Sequence, residues 1–143
     1  MRKETEEIEA SYPQLKELIA NMYETMYAAD GIGLAAPQIG LSIRVIVIDA
    51  SPMAEYFPDC EGKKLTLINP EFEVLEDGRK ETREEGCLSL PGIHEPVPRI
   101  EKIHLKWLDE DFVPHDEIIE GYLSRGVQHE YDHLAVFYPH LRA

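Results

Sequence analysis

The residues best placed to do chemistry lie in Gln128-His129-Glu130-Tyr131-Asp132-His133-Leu134, which contains His-Glu-x-x-His. On an α-helix, side chains four positions apart share a face. His129 and His133 can therefore aim both imidazoles at one metal ion. Glu130 stands one step round the helix, beside that ion without ligating it. That is where a base for a metal-activated water is needed. An ordinary amphipathic helix with two surface histidines is the bland explanation of the same letters, and a third ligand would tell the two apart. Sites of this kind hold the ion with three protein groups and leave the fourth position open. Ten residues follow His133, none of them Asp or Glu. The longer pattern, with Gly three and His six positions further on, meets Val136 and Pro139 instead. The remaining candidate is Cys87, upstream in Glu85-Gly86-Cys87-Leu88-Ser89.

These residues need a scaffold. Ser11 and Gln14 read as a capping box with Pro13 in the first turn. Leu15, Leu18, Ile19, Met22 and Met26 then recur at helical spacing. This predicts a first helix ending near Asp30-Gly31, with Gly31 as a left-handed cap and the methionines as core filling. The stretch 42–49 is β-branched and predicts a strand, as do 64–69 and 71–75. Residues 51–62 read as a surface loop in which Cys60 is a bystander. Asp77-Gly78 carries a hairpin signal. In 102–108, Ile103, Leu105 and Trp107 alternate onto one face, Asp109-Glu110-Asp111 makes a turn, and 112–119 is a further strand. Gly121 then leads into the metal helix. Tyr122 and Arg125 fall on the ligand face of that helix, so Arg125 either lines a pocket mouth or is a solvated arginine. Asp132 either orients a ligand histidine or stays on the helix surface. The reading is α+β: one domain over 1–143, with short mixed or antiparallel strands packed around a central metal-binding helix.

Composition narrows the function classes. The chain has 14 basic and 28 acidic residues, a net charge of −14. That disfavours nucleic acid or an anionic membrane as a direct partner through a general basic surface. No apolar run approaches a membrane span. Met1-Arg2-Lys3-Glu4 is charged and lacks a signal-peptide centre. Two cysteines make no disulfide framework, and a thiolate ligand suits a reducing compartment. The expected location is the cytoplasm.

Three segments together carry a resemblance: Gly31-Ile32-Gly33-Leu34-Ala35-Ala36-Pro37-Gln38, Glu85-Gly86-Cys87-Leu88-Ser89 and Gln128-His129-Glu130-Tyr131-Asp132-His133-Leu134. In this order they resemble the three motifs of the peptide deformylases. The resemblance implies a hydrolase that removes the formyl group from the N-terminal formyl-methionine of new proteins and releases formate. Cys87, His129 and His133 would hold one divalent ion, ferrous iron preferred, with zinc, nickel or cobalt accepted. Glu130 would shuttle the proton, and the Gln38 amide and Leu88 backbone N–H would donate to the oxyanion. Formyl-methionyl peptides and nascent chains are the implied partners, near the ribosome. Ile32, Gly33, Glu85, Gly86, Tyr122 and Arg125 are expected around the substrate, with Arg125 packed on the methionine side chain. Two departures stand out. The family's apolar segment before the Leu-Arg-Lys-like stretch is absent, since the chain starts at about that point. After His133-Leu134 the tail also lacks the family's glycine. Two other classes remain open: a zinc endopeptidase of the His-Glu-x-x-His type, and a non-catalytic, metal-stabilised peptide-binding relative. Cleavage of unformylated casein would mark the first, and lack of turnover with iron loaded would mark the second.

Overall fold

The run Val45-Ile46-Val47-Ile48 has no polar face, as expected of a strand covered on both sides. A computed structural model describes the backbone of residues 5–87 and 90–135, and the side chains of 5–86 and 95–134. In chain order the elements are α1 (Leu15–Ala28), β1 (Gly33–Ala35), β2 (Val45–Asp49), β3 (Lys64–Val74), β4 (Lys80–Cys87), β5 (Leu90–Ile100), β6 (Lys102–Leu108), β7 (Pro114–Glu120) and α2 (Tyr122–Ala135). Five strands form one antiparallel sheet in the order β1-β2-β3-β6-β7, while β4 and β5 pair only with each other.

Successive strand residues point to opposite faces, and the sheet uses both. Val45, Val47, Leu34 and Ile68 cluster with Leu15, Ile19, Met22 and Met26 of α1. Ile46, Ile48, Leu67, Ile103 and Leu105 cluster with Leu123, Val127 and Leu134 of α2. The sheet is thus a middle layer with a helix on each side. Cutting a fully buried isoleucine such as Ile46 back to alanine would cost about 2–5 kcal/mol. The α+β class with antiparallel sheets is as expected, and α2 has the five-stranded sheet on one side and bonds to the β4–β5 hairpin from Arg125. No described helix is long and apolar enough to cross a membrane.

Several boundaries differ from the sequence reading. Helix α1 has no Ser11 cap: Gln14 precedes it with φ 55, and no side chain caps the first turn. Tyr12, preceding a proline, is steered away from helical conformation, which delays the helix. At the other end Asp30, not Gly31, takes the left-handed position, with φ 57. Its N–H bonds Tyr27 O at 3.0 Å, and Gly31 N–H bonds Met26 O at 2.9 Å, the Schellman closure. The two strands expected over 64–75 are one strand, β3, broken by a register shift between Ile68 and Glu71. Asn69 sits in that bulge with φ 50 and grips Ile8 through both its main-chain groups. Asp77-Gly78 does turn the chain, but it joins strands of different sheets and closes no hairpin. The β4–β5 hairpin lies over 80–100, where no strand was expected.

Candidate active site

Helix α2 is started from outside itself. Gly121 lies before it with φ 82, and a Cβ there would meet the Asp59 carboxylate at 2.8 Å. That carboxylate accepts the Leu123 N–H at 3.1 Å, supplying an acceptor and a negative charge to the helix N-terminus. Neighbouring Cys60 is wholly buried; burial, with Asp59 beside it, pushes its thiol up to about 12. An un-ionised thiol in the core fits the bystander reading.

The helix brings His129 and His133 together, with ring centroids 5.3 Å apart and planes at 77°. Glu130 is buried beside them, its Oε2 3.9 Å from His129 Nε2. Burial raises the Glu130 carboxyl to about 7; the nearby His129 opposes the rise, while Glu85 and Asp132 add to it. Among the described residues, Glu130 Oε1 has no hydrogen-bond partner. Buried carboxylate oxygens are rarely left so, and one that is marks a candidate functional group.

Strand β1 presses against this carboxylate. A Cβ on Gly33 would sit 2.8 Å from both Cγ and Oε2 of Glu130, so only glycine lets the strand lie so close. Ile32 O accepts the Asp49 N–H, and Leu34 pairs with Val47. Gly33 therefore turns its N–H and C=O to the edge away from β2. Ala35 has the same parity, but its N–H is closed off by Gln38 Oε1 at 2.8 Å. This bond also fixes the Gln38 amide beside the β1 edge.

The other histidine contact comes from β4. Glu85 Oε1 accepts His129 Nδ1–H at 2.8 Å, which leaves Nε2 as the nitrogen that could hold a metal. Burial alone would raise Glu85, but hydrogen bonds from His129 and Arg99 override it and draw the group down to about 2. The same Glu85 bond raises His129 despite its burial. Glu85 also takes both Arg99 Nε and Nη2, at 2.8 and 2.9 Å, and Arg125 Nη1 at 2.5 Å. Its side chain is bonded to these cations and to His129. Arg125 is not solvated. It lies 2% exposed beneath the β4–β5 hairpin, because two carboxylates there take up its charge. Tyr122 stacks on Phe57 at the start of α2, with centroids 4.2 Å apart. Asp132 accepts Arg99 at 2.9 Å, so it reaches His129 only through Arg99 and Glu85.

Arg99 and Glu101 complete this cluster, and the sequence reading missed both. Their signal was weak: charged residues bordering a strand with prolines. Ile32 precedes the Gly33 edge, and Gly86 is exposed opposite His94 in the hairpin. The backbone of Cys87 ends β4, two residues beyond Glu85. The Cys87 side chain, Leu88, the first four residues and the tail after Ala135 lie outside the described residues.

Comparison with known proteins bears on this site. The model of the polypeptide deformylase family matches residues 1–140. A peptide deformylase of Flavobacterium johnsoniae is 46% identical over 141 residues, covering 94% of this chain and 71% of that protein. One of Leptospira biflexa is 44% identical over 138 residues, covering 94% and 76%. Among solved structures, the peptide deformylase of Synechococcus elongatus in complex with actinonin superposes with a TM-score of 0.79 at 40% identity, over 93% of this chain and 69% of that one. That of Thermotoga maritima gives 0.80 at 38% identity, over 93% and 83%.

Proposed function

The chain belongs to the polypeptide deformylase family, and from that premise we propose that it hydrolyses the formyl group from the N-terminal formyl-methionine of newly made proteins. The reading places it in the cytoplasm, acting on chains as they leave the ribosome. The observation that carries it is the Glu130 carboxylate: buried, held near neutrality, and with one oxygen lacking a partner among the described residues, beside two histidines.

The family implies a catalytic metal ion, and the residues fit one. His129 has its Nδ1 occupied by a carboxylate, the usual support for a ligating imidazole. Cys87, His129 and His133 would hold the ion. One thiolate and two imidazoles suit ferrous iron, with zinc, nickel or cobalt as substitutes. A bound ion supplies Lewis acidity, bringing the pKa of water to about 7.

Glu130 then has the proton chemistry to do. It takes a proton from the attacking water and returns it to the peptide nitrogen as the C–N bond breaks. A carboxyl held near 7 can do both at neutral pH. The Gln38 amide and the Leu88 N–H donate to the oxygen that gains charge at the formyl carbon. Each such donor is worth about 2.7–4 kcal/mol of barrier. The edge groups of Gly33 give an extended peptide one place to add as a strand, with 88–92 on its other side. An apolar pocket near Ile32 and Leu88 takes the methionine side chain.

The test is formate release from formyl-Met-Ala-Ser by the iron-loaded chain under anaerobic conditions. We expect turnover, a preference for formyl-Met over formyl-Ala, and a loss of kcat/KM when the amides after methionine are N-methylated. No formate release from iron-loaded, folded protein would defeat the reading, and cleavage of unformylated casein would replace it with an endopeptidase.

A further inference from the structure

The β4–β5 hairpin shares no ladder with the five-stranded sheet. It bears Cys87, whereas α2 bears His129 and His133. Something must fix these two bodies to each other; Gln128, His129 and Asp132 each bond the hairpin once, but three bonds to it come from one side chain. Arg125 donates Nε to Glu101 at 2.6 Å and Nη1 to Glu85 at 2.5 Å. It also donates Nη1 to Val97 O at 2.9 Å and Nη2 to Glu81 O at 2.6 Å. It thereby touches β4, β5 and the residue before β6 from within α2. Glu85, one of its partners, is the group that holds His129 Nδ1.

We propose that Arg125 is the positioning residue of the metal site: it orients His129 through Glu85 and sets the distance of the Cys87 strand from α2 through the Glu81 and Val97 carbonyls. Only a guanidinium can serve all four acceptors. Its donors are splayed in a rigid plane, whereas a lysine ammonium is one compact point. Arg83 provides an internal comparison. It pairs with the same Glu101 at 2.9 Å and stacks over Phe57, yet makes no contact with Glu85. Arg83 should carry stability without steering the ligands.

The proposal rests on Cys87, His129 and His133 being the ligands, so the experiment separates the two claims. Full-length wild type, Arg125→Lys, Arg125→Met, Glu85→Gln, Arg83→Met and Cys87→Ser are compared. The readouts are zinc affinity by chelator competition, the visible spectrum of the cobalt-loaded chain, and the Tm of the metal-free chain. We expect both Arg125 variants and Glu85→Gln to bind zinc about 10–100-fold more weakly and to show altered cobalt bands. Arg83→Met should lose Tm but keep wild-type zinc affinity and bands. Adding Arg125→Lys to Glu85→Gln should cost less than the product of the single losses, because they lie on one path. Should the methionine variant not fold, the lysine variant and Glu85→Gln carry the test. Unchanged zinc affinity in these, with Cys87→Ser impaired, overturns the role of Arg125 alone. So does a loss in Arg83→Met that matches theirs. Wild-type zinc binding no tighter than in Cys87→Ser overturns the ligand set and the proposal with it.

Discussion

Gly33→Ala tests the site through one methyl group. The new carbon would lie 2.8 Å from Glu130 Cγ and Oε2 and 3.0 Å from Cδ. Carbon atoms settle at about 3.5–4.0 Å, so something must move by about 0.7–1.2 Å. The β1 backbone is held by its pairing with Ile48, Val47 and Ile46. The side that yields is therefore the Glu130 carboxylate, which needs only torsional change. A misplacement of about 1 Å at a catalytic group can cost about a hundredfold in rate, or about 2.7 kcal/mol of barrier. Overpacking should take a further 1–3 kcal/mol or so from stability, and Gly33 is not among the proposed metal ligands. We expect Gly33→Ala to fold, to bind metal as wild type does, and to release formate about a hundredfold more slowly. Because the methyl acts through Glu130, adding it to Glu130→Ala should do nothing more. Formate release within about threefold of wild type would refute the reasoning, since a hundredfold loss is required. So would a loss explained entirely by missing metal.

Glu130→Ala should retain metal and lose nearly all turnover, as metal content and formate release will show, since Glu130 is read as proton carrier and not as ligand. Cys87→Ser should lose metal where Cys60→Ser keeps it; equal metal loss in both would move the third ligand. In the metal-free chain burial lifts Glu130 from 4.5 to about 7, so its ionised form is disfavoured in the fold. The unfolded chain sheds this proton near pH 4.5, and stability then falls as pH rises, until the folded group also ionises near 7. Glu130→Gln should thus match wild type near pH 4 and exceed it by up to about 3 kcal/mol at pH 8, as read by urea unfolding. Glu85 runs the other way: drawn down to about 2, it stabilises above pH 4.5 and loses this contribution as pH falls toward 2. Glu85→Gln should flatten the acid limb of the unfolding curve.

Helix α2 and the nearness of His129 to His133 on it were legible because the two histidines stand at helical spacing. β6 was legible because Ile103, Leu105 and Trp107 alternate with polar residues. The β4–β5 hairpin was hidden. Its first strand is Lys-Glu-Thr-Arg-Glu-Glu, with no apolar face, and its second contains Pro91, Pro96 and Pro98. Pro96 and Pro98 are two apart, so both place their missing N–H on the same edge, the outer one, where no partner needs it. The direction of Arg125 could be read from its position four residues before His129, but what lay there could not. Without the hairpin that side of the helix looks like solvent or a pocket. With it, it is a cage of carboxylates and carbonyls. The start of α1 misled for a local reason, since Ser11 and Gln14 have the right spacing but Pro13 disturbs the residue before it.

The β1 edge has a colloidal consequence. An open sheet edge is where chains of one protein can join and aggregate. Here the edge spans three residues, and Gln38 stops it at Ala35 by taking the N–H that the next rung would need. Gly33 turns its two main-chain groups to this edge. That is enough to align the end of one flexible peptide for a single turnover. It is too little to template strand after strand, so an edge open to a peptide in the proposed reading does not invite the protein to stack on itself.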